Sequence, residues 1–159
     1  MDDKLNVSVR SATNADCERV QNLVFGILRE YDLQPDLNGT DADIADIEAA
    51  YINRNGIFEL LEDENGNLLG TVGLYPINDE KIELRKMYFA KDFRGKGYGR
   101  KTLQRMIETA RKLGYKQIYL ETAGVLKEAV ALYKSSGFQP TCEKHTPRCD
   151  QAYFLNLTP

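Results

Sequence analysis

Apolar and polar residues change their period several times along the chain, and each change predicts a new element. In "NVSVRSAT", Val7 and Val9 alternate with polar neighbours, as on a half-buried strand. Thr13 and Asp16 then form a capping-box pattern, which predicts the start of a helix. The apolar stripe of this helix repeats every three or four positions and consists of Val20, Leu23, Val24, Ile27, Leu28 and Tyr31.

Three consecutive strands are predicted in the middle of the chain. They follow a loop that contains Pro35 and Gly39 and a short helix over residues 44–51. The run "GIFELLEDENGNLLGTVGLYPI" is typical of a hairpin, because Asn65-Gly66 between two apolar stretches favours a type I′ turn. "KIELRKMYF" predicts the third strand of the series.

Helices and strands alternate in the remainder of the chain. One helix has apolar residues at helical spacing and ends at a C-cap glycine: Leu103, Met106, Ile107, Ala110, Leu113 and Gly114. "QIYLET" predicts a strand, and the helix after it has one apolar face and a closing glycine: Leu126, Ala129, Val130, Tyr133 and Gly137. Two strands follow, one from near Phe138 and one in "AYFLNL". The order β-α-α-β-β-β-α-β-α-β-β predicts an α/β fold, a single domain over residues 1–159 around a mixed sheet.

Composition narrows the class of protein. A chain of 159 residues is long enough for one domain with a substantial core. The net charge of −3 argues against nucleic acid as a partner, because nucleic-acid modules usually carry a basic excess. The polar start "MDDKLNVSVR" predicts no cleaved signal, and no apolar run reaches the ~18–20 residues that cross a membrane. We therefore expect a cytoplasmic protein without a membrane partner.

The three cysteines do not match a metal-binding pattern. Cys142 and Cys149 flank the single histidine, His145, and Cys17 lies far away in the sequence. The spacing C-x₂-H-x₃-C matches no common zinc finger and offers no fourth ligand. We expect reduced thiols and no metal.

The run "RGKGYGRKT", residues 94–102, has the composition of a phosphate-binding loop between a strand and a helix. Two familiar nucleotide patterns fail at the same residue. Lys101-Thr102 supplies the end of a P-loop, but Arg100 occupies the glycine position before it. The dinucleotide fingerprint begins at Gly95 and Gly97, but its third glycine is again Arg100.

What remains is the pattern Arg94-x-x-Gly97-x-Gly99. Glycines let the backbone approach a ligand closely, and amides at a helix N-terminus favour an anion. Four cationic side chains surround the glycines, at Arg94, Lys96, Arg100 and Lys101. The loop suits a pyrophosphate, and the alternative is a glycine-rich turn with solvated basic residues.

R-x-x-G-x-G after "MYFAKDF" resembles motif A of the GNAT superfamily, the GCN5-related N-acetyltransferases. "AVALYKSSGF", residues 129–138, resembles motif B of the same family. The resemblance covers nearly the whole chain and implies the GNAT fold, with a mixed, mostly antiparallel sheet and flanking helices. It also implies a transferase that uses acetyl-CoA as cosubstrate.

The family resemblance implies a set of cofactor contacts. The pyrophosphate would lie on the loop that comprises Arg94, Gly95, Lys96, Gly97, Tyr98, Gly99 and Arg100. Main-chain groups of Met87 and Phe89 would contact the pantetheine arm. Many members have an asparagine where this chain has Leu126, so that contact is absent or replaced, for instance by Lys127.

The family chemistry is direct attack of an amine on the thioester in a ternary complex. The resemblance implies Tyr133 as the acid that protonates the leaving thiolate, and a backbone N–H near Met87 or Tyr88 as the oxyanion donor. Glu83 is the candidate base, with Glu121 and a water chain as alternatives. Glu83 could instead pair with a basic neighbour on its own strand.

The acceptor is expected to be a small-molecule or peptide amine. Residues 32–48 contain six acidic side chains and no Lys or Arg. Such a segment could attract a cationic small molecule, or it could be a solvated loop and helix start. The sequence leaves open whether the chain forms a homodimer. A non-catalytic acyl-CoA-binding or regulatory domain is the alternative to an enzyme, and Arg100 argues against a nucleotide-binding protein.

Overall fold

One seven-stranded sheet organises the chain, in the order β1-β2-β3-β4-β5-β7-β6. The computed structural model describes residues 6–157, so the first half of the "MDDKLNVSVR" segment lies outside the described residues. Neighbouring strands are antiparallel except β4 and β5, which are parallel. The strands are β1 Ser8–Ser11, β2 Ile57–Glu62, β3 Leu68–Pro76, β4 Lys81–Phe89, β5 Gln117–Thr122, β6 Gln139–Thr141 and β7 Gln151–Asn156.

Helices cover both faces of this sheet. They are α1 Cys17–Glu30, α2 Ile47–Ala50, α3 Tyr98–Lys112 and α4 Lys127–Ser135, with short 3₁₀ turns at Asn14–Asp16, Ala42–Ile44, Ile52–Arg54 and Lys91–Phe93. One core lies between the sheet and α3 and α4, and a second lies between the sheet and α1 and α2. The predicted order of elements and the mixed, mostly antiparallel sheet are both confirmed.

The predicted start of the first helix is confirmed in detail. Asp16 accepts a 2.9 Å hydrogen bond from the backbone N–H of Thr13, and the Thr13 hydroxyl accepts from the Ala15 N–H. Arg10 holds the same carboxylate at 2.6 Å, and hydrogen bonds from this guanidinium keep the pKa of Asp16 below its usual range. The cap is thereby tied to β1.

One local expectation, the type I′ turn, was wrong. The hairpin loop spans residues 63–67, and Asn65 does not have the positive φ that a type I′ turn requires. Gly66 alone is left-handed, with φ 80°, and its N–H donates to the Asp63 carbonyl. Val9 on β1 is 42% exposed, and Leu113, which follows the last turn of α3, is 51% exposed.

Within residues 6–157, no helix has both the length and the apolar character needed to span a bilayer. Cys142 is exposed and Cys149 is half-buried. No group of three or more His, Cys, Asp or Glu side chains in the described part of the chain is arranged to hold a metal ion.

Candidate active site

The central feature of the sheet is the divergence of β4 from β5. The two strands pair only from Lys81 to Glu83 on β4 and from Gln117 to Tyr119 on β5. Beyond these pairs, the second half of β4 has β3 as a partner on one side only. A wedge-shaped cleft therefore opens between two strands in the middle of the sheet.

A β-bulge in β4 lies beside this cleft. Thr71 pairs with Tyr88 and Gly73 pairs with Arg85, so Lys86 and Met87 face a single residue of β3. Lys86 has φ 55°, a left-handed conformation that a residue with a side chain rarely adopts. The Thr71 hydroxyl donates a 2.7 Å hydrogen bond to the Lys86 carbonyl and holds the bulge in place.

The glycine loop faces the open end of the cleft and presents unpaired amides. Gly97 is the N-cap of α3, with φ 87°, and provides no capping side chain. No backbone N–H of residues 95–100 donates to another group in the described part of the chain. A Cβ added at Gly95 or Gly97 would meet no atom within 4 Å, so the space above these glycines is free. Unpaired amides at the start of a 15-residue helix form a site for an anion.

Arg94 connects this loop to α1. Its Nε donates to the Phe89 carbonyl at 2.9 Å, and its two Nη atoms donate to Glu30 at 2.7 and 3.0 Å. The guanidinium also lies 5.9 Å from the centre of the Tyr31 ring. Hydrogen bonds from Arg94 keep the pKa of Glu30 below its usual range. Arg94, one of the cationic side chains of the glycine loop, is thus already paired with the carboxylate of Glu30.

The other side chains of the loop fall into two groups. Tyr98 stacks on Phe93 at 4.2 Å, and Arg100 donates to the Ser135 hydroxyl at 3.1 Å, which joins α3 to α4. Lys96 is exposed. Lys127 is also exposed and does not line the cleft, whereas its neighbour Leu126 does.

The cleft has walls from several elements that are far apart in the sequence. The bulged half of β4 and the glycine loop form one side, and the end of β5 and the inner face of α4 form the other. The last turn of α1 and the segment before β7 close it. Residues that line it include Tyr31, Met87, Tyr88, Phe89, Gly99, Glu121, Ala129, Leu132, Tyr133, Arg148 and Cys149.

Tyr133 lies on the α4 wall with only 6% of its surface exposed. Its ring packs against Phe138, and its hydroxyl has no hydrogen-bond partner among residues 6–157. Burial raises the pKa of Tyr133 well above the ordinary value of a phenol, and the nearby Tyr88 and Cys149 add to this effect. The side chain therefore stays protonated at neutral pH and has a free O–H.

Two carboxylates, Glu83 on β4 and Glu121 on β5, lie near one another where the two strands diverge. Glu83 is 7% exposed and pairs with Arg85 at 2.7 Å, and it does not line the cleft. Burial raises the pKa of Glu83 despite the opposing charge of Arg85, and the charge of Glu121 raises it further. Glu121 does line the cleft, and one of its oxygens accepts the backbone N–H groups of His145 and Thr146.

Two acidic side chains of the segment of residues 32–48 are engaged inside the protein, whereas Asp32, Asp36 and Asp46 are exposed. Asp41 is fully buried and holds Arg148 through two hydrogen bonds of 2.7 and 2.8 Å, and Lys86 lies 3.3 Å away. Burial alone would raise the pKa of Asp41, but these cations outweigh it and keep the pKa below its usual range. Asp43 pairs with Lys86 at 3.0 Å and accepts the hydroxyl of Tyr51. Two of the six acidic side chains are therefore neutralised by internal partners.

A family model described as the acetyltransferase (GNAT) family matches residues 24–138. The chain belongs to this family. It is an acyltransferase of the GNAT type, and the resemblance of its two sequence motifs to this family is confirmed.

Individual relatives agree with this assignment. The N-acetyltransferase YjgM of Escherichia coli (strain K12), itself named as uncharacterized, is 34% identical over 136 residues, which are 82% of this chain and 81% of the relative. A GNAT-family acetyltransferase from Staphylococcus aureus Mu50 has a TM-score of 0.89 and 24% identity, with 96% of this chain and 99% of that chain covered. Spermidine N-acetyltransferase from Vibrio cholerae, in complex with CoA and spermine, has a TM-score of 0.69 and 22% identity, with 95% of each chain covered. At this identity the two solved structures show a shared fold.

Some residues of the GNAT cleft gave no signal in the sequence. Arg148 and Cys149 belong to an irregular segment without periodicity, and only the folded chain brings them to the cleft. Burial raises the pKa of the Cys149 thiol to about 11. The ion pair between Glu30 and Arg94 joins positions 64 residues apart and was likewise not predicted.

Proposed function

We propose that this chain transfers an acetyl group from acetyl-CoA to a primary amine of a small molecule, by direct attack within a ternary complex. The observation that carries the proposal is that unpaired amides at residues 95–100 adjoin a cleft lined by Tyr133, whose hydroxyl has no hydrogen-bond partner in the described part of the chain. The first feature suits the pyrophosphate and the second suits the thioester. Residues 1–159 would act as one domain, because the cleft uses elements from α1 to the segment before β7.

The cofactor contacts that we propose follow the cleft from its mouth inwards. The amides of Gly95, Lys96, Gly97, Tyr98, Gly99 and Arg100 would bind the pyrophosphate, with Arg94 as a further cation. The free edge of β4 at Met87, Tyr88 and Phe89 would pair with the pantetheine arm, as a strand pairs with an exposed edge. Leu126 lines the cleft and would make apolar contact with the cofactor, and the exposed Lys127 beside it would add a cation at the mouth of the cleft.

The left-handed residue in β4 supports the proposal for the oxyanion. At Lys86 the strand changes its course, so the amide that follows, at Met87 or Tyr88, need not point towards β3. A backbone N–H fixed in this way can donate to a carbonyl oxygen as it gains negative charge. The hydrogen bond from Thr71 to the Lys86 carbonyl restricts the motion of this amide before any ligand arrives.

Three proton transfers complete the reaction. The C–N bond forms, and as the C–S bond of the thioester breaks, the Tyr133 hydroxyl would give its proton to the sulfur. The Tyr133 phenolate would regain a proton as the nitrogen loses its second proton and becomes the amide. The ammonium proton of the acceptor would leave through the carboxylates at the inner end of the cleft. Glu121 lines the cleft and is the nearer acceptor, and Glu83 lies behind it on β4. Glu83 would then act through Glu121 or through water.

The acceptor that we propose is a small-molecule amine. The Vibrio cholerae structure contains spermine, which supports a small-molecule amine in this fold. Asp41 and Asp43 are engaged by Lys86 and Arg148, so any attraction of the acidic segment for a cationic acceptor would come from the exposed Asp32, Asp36 and Asp46.

A non-catalytic acyl-CoA-binding domain is the second candidate. The two candidates separate in one experiment: purified protein, acetyl-CoA and a panel of amines, with release of free CoA thiol as the readout. We expect turnover with at least one amine. A thermal shift with acetyl-CoA, and none with ATP, tests the cofactor site separately, because a ligand that binds the folded state stabilises it. Stabilisation by acetyl-CoA without turnover of any amine would favour the binding domain.

A further inference from the structure

The cleft continues past Tyr133 to the side of the sheet that α1 and α2 cover. Tyr133 packs in the core beneath α3 and α4, whereas Leu33 and Tyr88 pack against the core beneath α1 and α2. All three residues line the same cleft, because β4 and β5 do not pair there. A cofactor that extends from the glycine loop to Tyr133 leaves the remaining part for the second substrate. We call this part the acceptor chamber; it is lined by Ile27, Leu33, Tyr88 and Cys149.

The four side chains of the acceptor chamber are neutral. Ile27 on α1 and Leu33 in the loop after it contribute aliphatic groups. Burial raises the pKa of the Tyr88 phenol and of the Cys149 thiol, so both carry their protons at neutral pH. A protonated thiol packs as a small apolar group, and the ring of Tyr88 adds an aromatic surface. The chamber therefore suits the apolar part of a ligand.

Two cations border the chamber, and both are already paired. The ammonium of Lys86 lies 3.3 Å from the carboxylate of Asp41 and 3.0 Å from that of Asp43. Arg148 donates to the two oxygens of Asp41 at 2.7 and 2.8 Å and to the Gln34 carbonyl at 3.0 Å. Both aspartates are buried, and neither lines the cleft. Two carboxylates thus balance two cations, and this network leaves no charge for an ionic group of a ligand.

Glu121 borders the chamber from β5 and has no ion-pair partner within residues 6–157. Its charge raises the pKa of Cys149, so the two side chains are close to each other. Glu128 also lines the cleft, but it lies at the mouth, where its charge acts on Arg94. The exposed acidic side chains of the 32–48 segment do not line the cleft: Asp32, Asp36 and Asp46. One ammonium therefore finds an opposite charge beside the chamber, and a second ionic group does not.

From these observations we propose that the acceptor is a monoamine on an apolar body, an alkylamine or arylalkylamine without a second charged group. This inference rests on the proposed function, because it names the class of the second substrate of the same reaction. The ammonium lies beside Glu121, and the apolar body lies against Leu33 and Tyr88. A second ammonium or a carboxylate in the chamber would lose its water without gaining a partner, which weakens binding.

The test compares three amines with four-carbon chains: butylamine, 1,4-diaminobutane and 4-aminobutyrate. For the wild type we expect kcat/KM for CoA release, counted per amino group, to be about 10- to 100-fold higher with butylamine than with the other two. Phenethylamine should be accepted at least as well as butylamine, because its ring adds apolar contact. An equal or higher kcat/KM with 1,4-diaminobutane or 4-aminobutyrate would overturn the proposal.

Substitutions of Leu33 should change the order of preference. Leu33→Glu places a carboxylate on the apolar wall, so kcat/KM for 1,4-diaminobutane relative to butylamine should rise about tenfold, through KM. Leu33→Lys should favour 4-aminobutyrate in the same way, and neither variant should change the affinity for acetyl-CoA. Leu37→Glu adds the same charge to an exposed residue of the same segment outside the cleft lining, and is the control. Unchanged ratios in both folded Leu33 variants would overturn the chamber.

A binding measurement separates this inference from the proposed function. Calorimetry in the presence of CoA, with N-butylacetamide, N-acetyl-1,4-diaminobutane and 4-acetamidobutyrate, reports on the chamber without turnover. Tighter binding of N-butylacetamide than of the two charged amides, without acetylation of any amine, would support the chamber and contradict the transferase. Turnover without a preference for butylamine would overturn the chamber and leave the transferase standing. No turnover, together with equal or no binding of the three amides, would overturn both.

Discussion

The hydroxyl of Thr71 on β3 donates a 2.7 Å hydrogen bond to the carbonyl of Lys86, the left-handed residue of the β4 bulge. Thr71 is fully buried, and the bulge is the point from which the free edge of β4 continues beside the cleft. A conformation that is unfavourable for a lysine is therefore held by a side chain of the neighbouring strand. Its position at the cleft suggests that it serves the amide that follows.

Thr71→Val keeps the shape of the side chain and removes this hydrogen bond. We expect the free energy of unfolding to fall by about 1–3 kcal/mol, because a buried carbonyl loses its partner. We also expect kcat to fall while the affinity for CoA changes little, because the bulge orients the amide that would face the thioester and not the phosphate loop. Urea unfolding and steady-state kinetics measure the two effects. Thr109→Val is the matched control, since the Thr109 hydroxyl bonds a carbonyl within α3. An unchanged kcat in a folded Thr71→Val protein would refute the role of the bulge.

The glycine loop gives a second prediction. Gly97→Val should remove binding of acetyl-CoA and leave a folded domain, because the added side chain fills the free space above the amides. Gly66→Val is a close control: Gly66 is also left-handed, at φ 80° against 87°, and its added Cβ also meets no atom within 4 Å. Both variants carry backbone strain of about 1–2 kcal/mol. Calorimetry should show lost affinity in the first variant only, and equal affinity in both would move the phosphate site elsewhere.

Glu30 should compete with phosphate for Arg94. Glu30→Gln weakens the pair that holds the guanidinium, so the affinity for acetyl-CoA and for free CoA should both rise by about two- to fivefold at low salt. The gain should shrink as salt screens the charges. Arg94→Ala should lower both affinities alike. Glu18→Gln, an exposed change at the other end of α1, should have no effect. A lower affinity in Glu30→Gln would mean that the ion pair organises the site.

The sequence predicted the elements because their signals are local. The capping box at Thr13, the period of α3 and the strand runs of β2 to β4 each depend on residues a few positions apart. The pattern Arg94-x-x-Gly97-x-Gly99 was informative for the same reason: its residues are close together in the sequence, and they indicate a turn that leads into a helix. The type I′ turn failed because the loop contains five residues, and the Asn-Gly pair alone does not fix the loop length.

The interior of the site could not be predicted in this way. The acidic run from Asp32 to Glu48 could have been solvated or paired inside the protein. Its sequence does not distinguish these two cases, because the cations that pair with Asp41 are Lys86 on β4 and Arg148 in the segment before β7. Burial raises the pKa of Glu83, and burial depends on the whole fold and not on neighbouring residues in the sequence.

The two carboxylates differ in their expected pH profiles. At neutral pH an amine of pKa ~10 is mostly protonated, so the loss of a base matters most there. Glu121→Gln should therefore lower kcat/KM at pH 7 and recover as the pH rises, because more free amine then forms without help. Glu83→Gln should show the same trend with a smaller amplitude, since Glu83 does not line the cleft. Glu80→Gln, exposed before β4, is the control. A profile parallel to wild type in both variants would mean that neither carboxylate accepts the proton.

Tyr133→Phe tests the central claim most directly, that this cleft is the place where a thioester is cleaved. The change keeps the ring that packs against Phe138 and removes only the hydroxyl. Burial raises the pKa of this hydroxyl, so it carries its proton at neutral pH. Tyr115→Phe, a half-buried tyrosine on the same core outside the cleft lining, is the control. The measurement is kcat with an accepted amine together with the dissociation constant of acetyl-CoA. We predict a fall in kcat of about 10²-fold with the affinity for acetyl-CoA within a few-fold of wild type. Full activity in Tyr133→Phe would contradict the account.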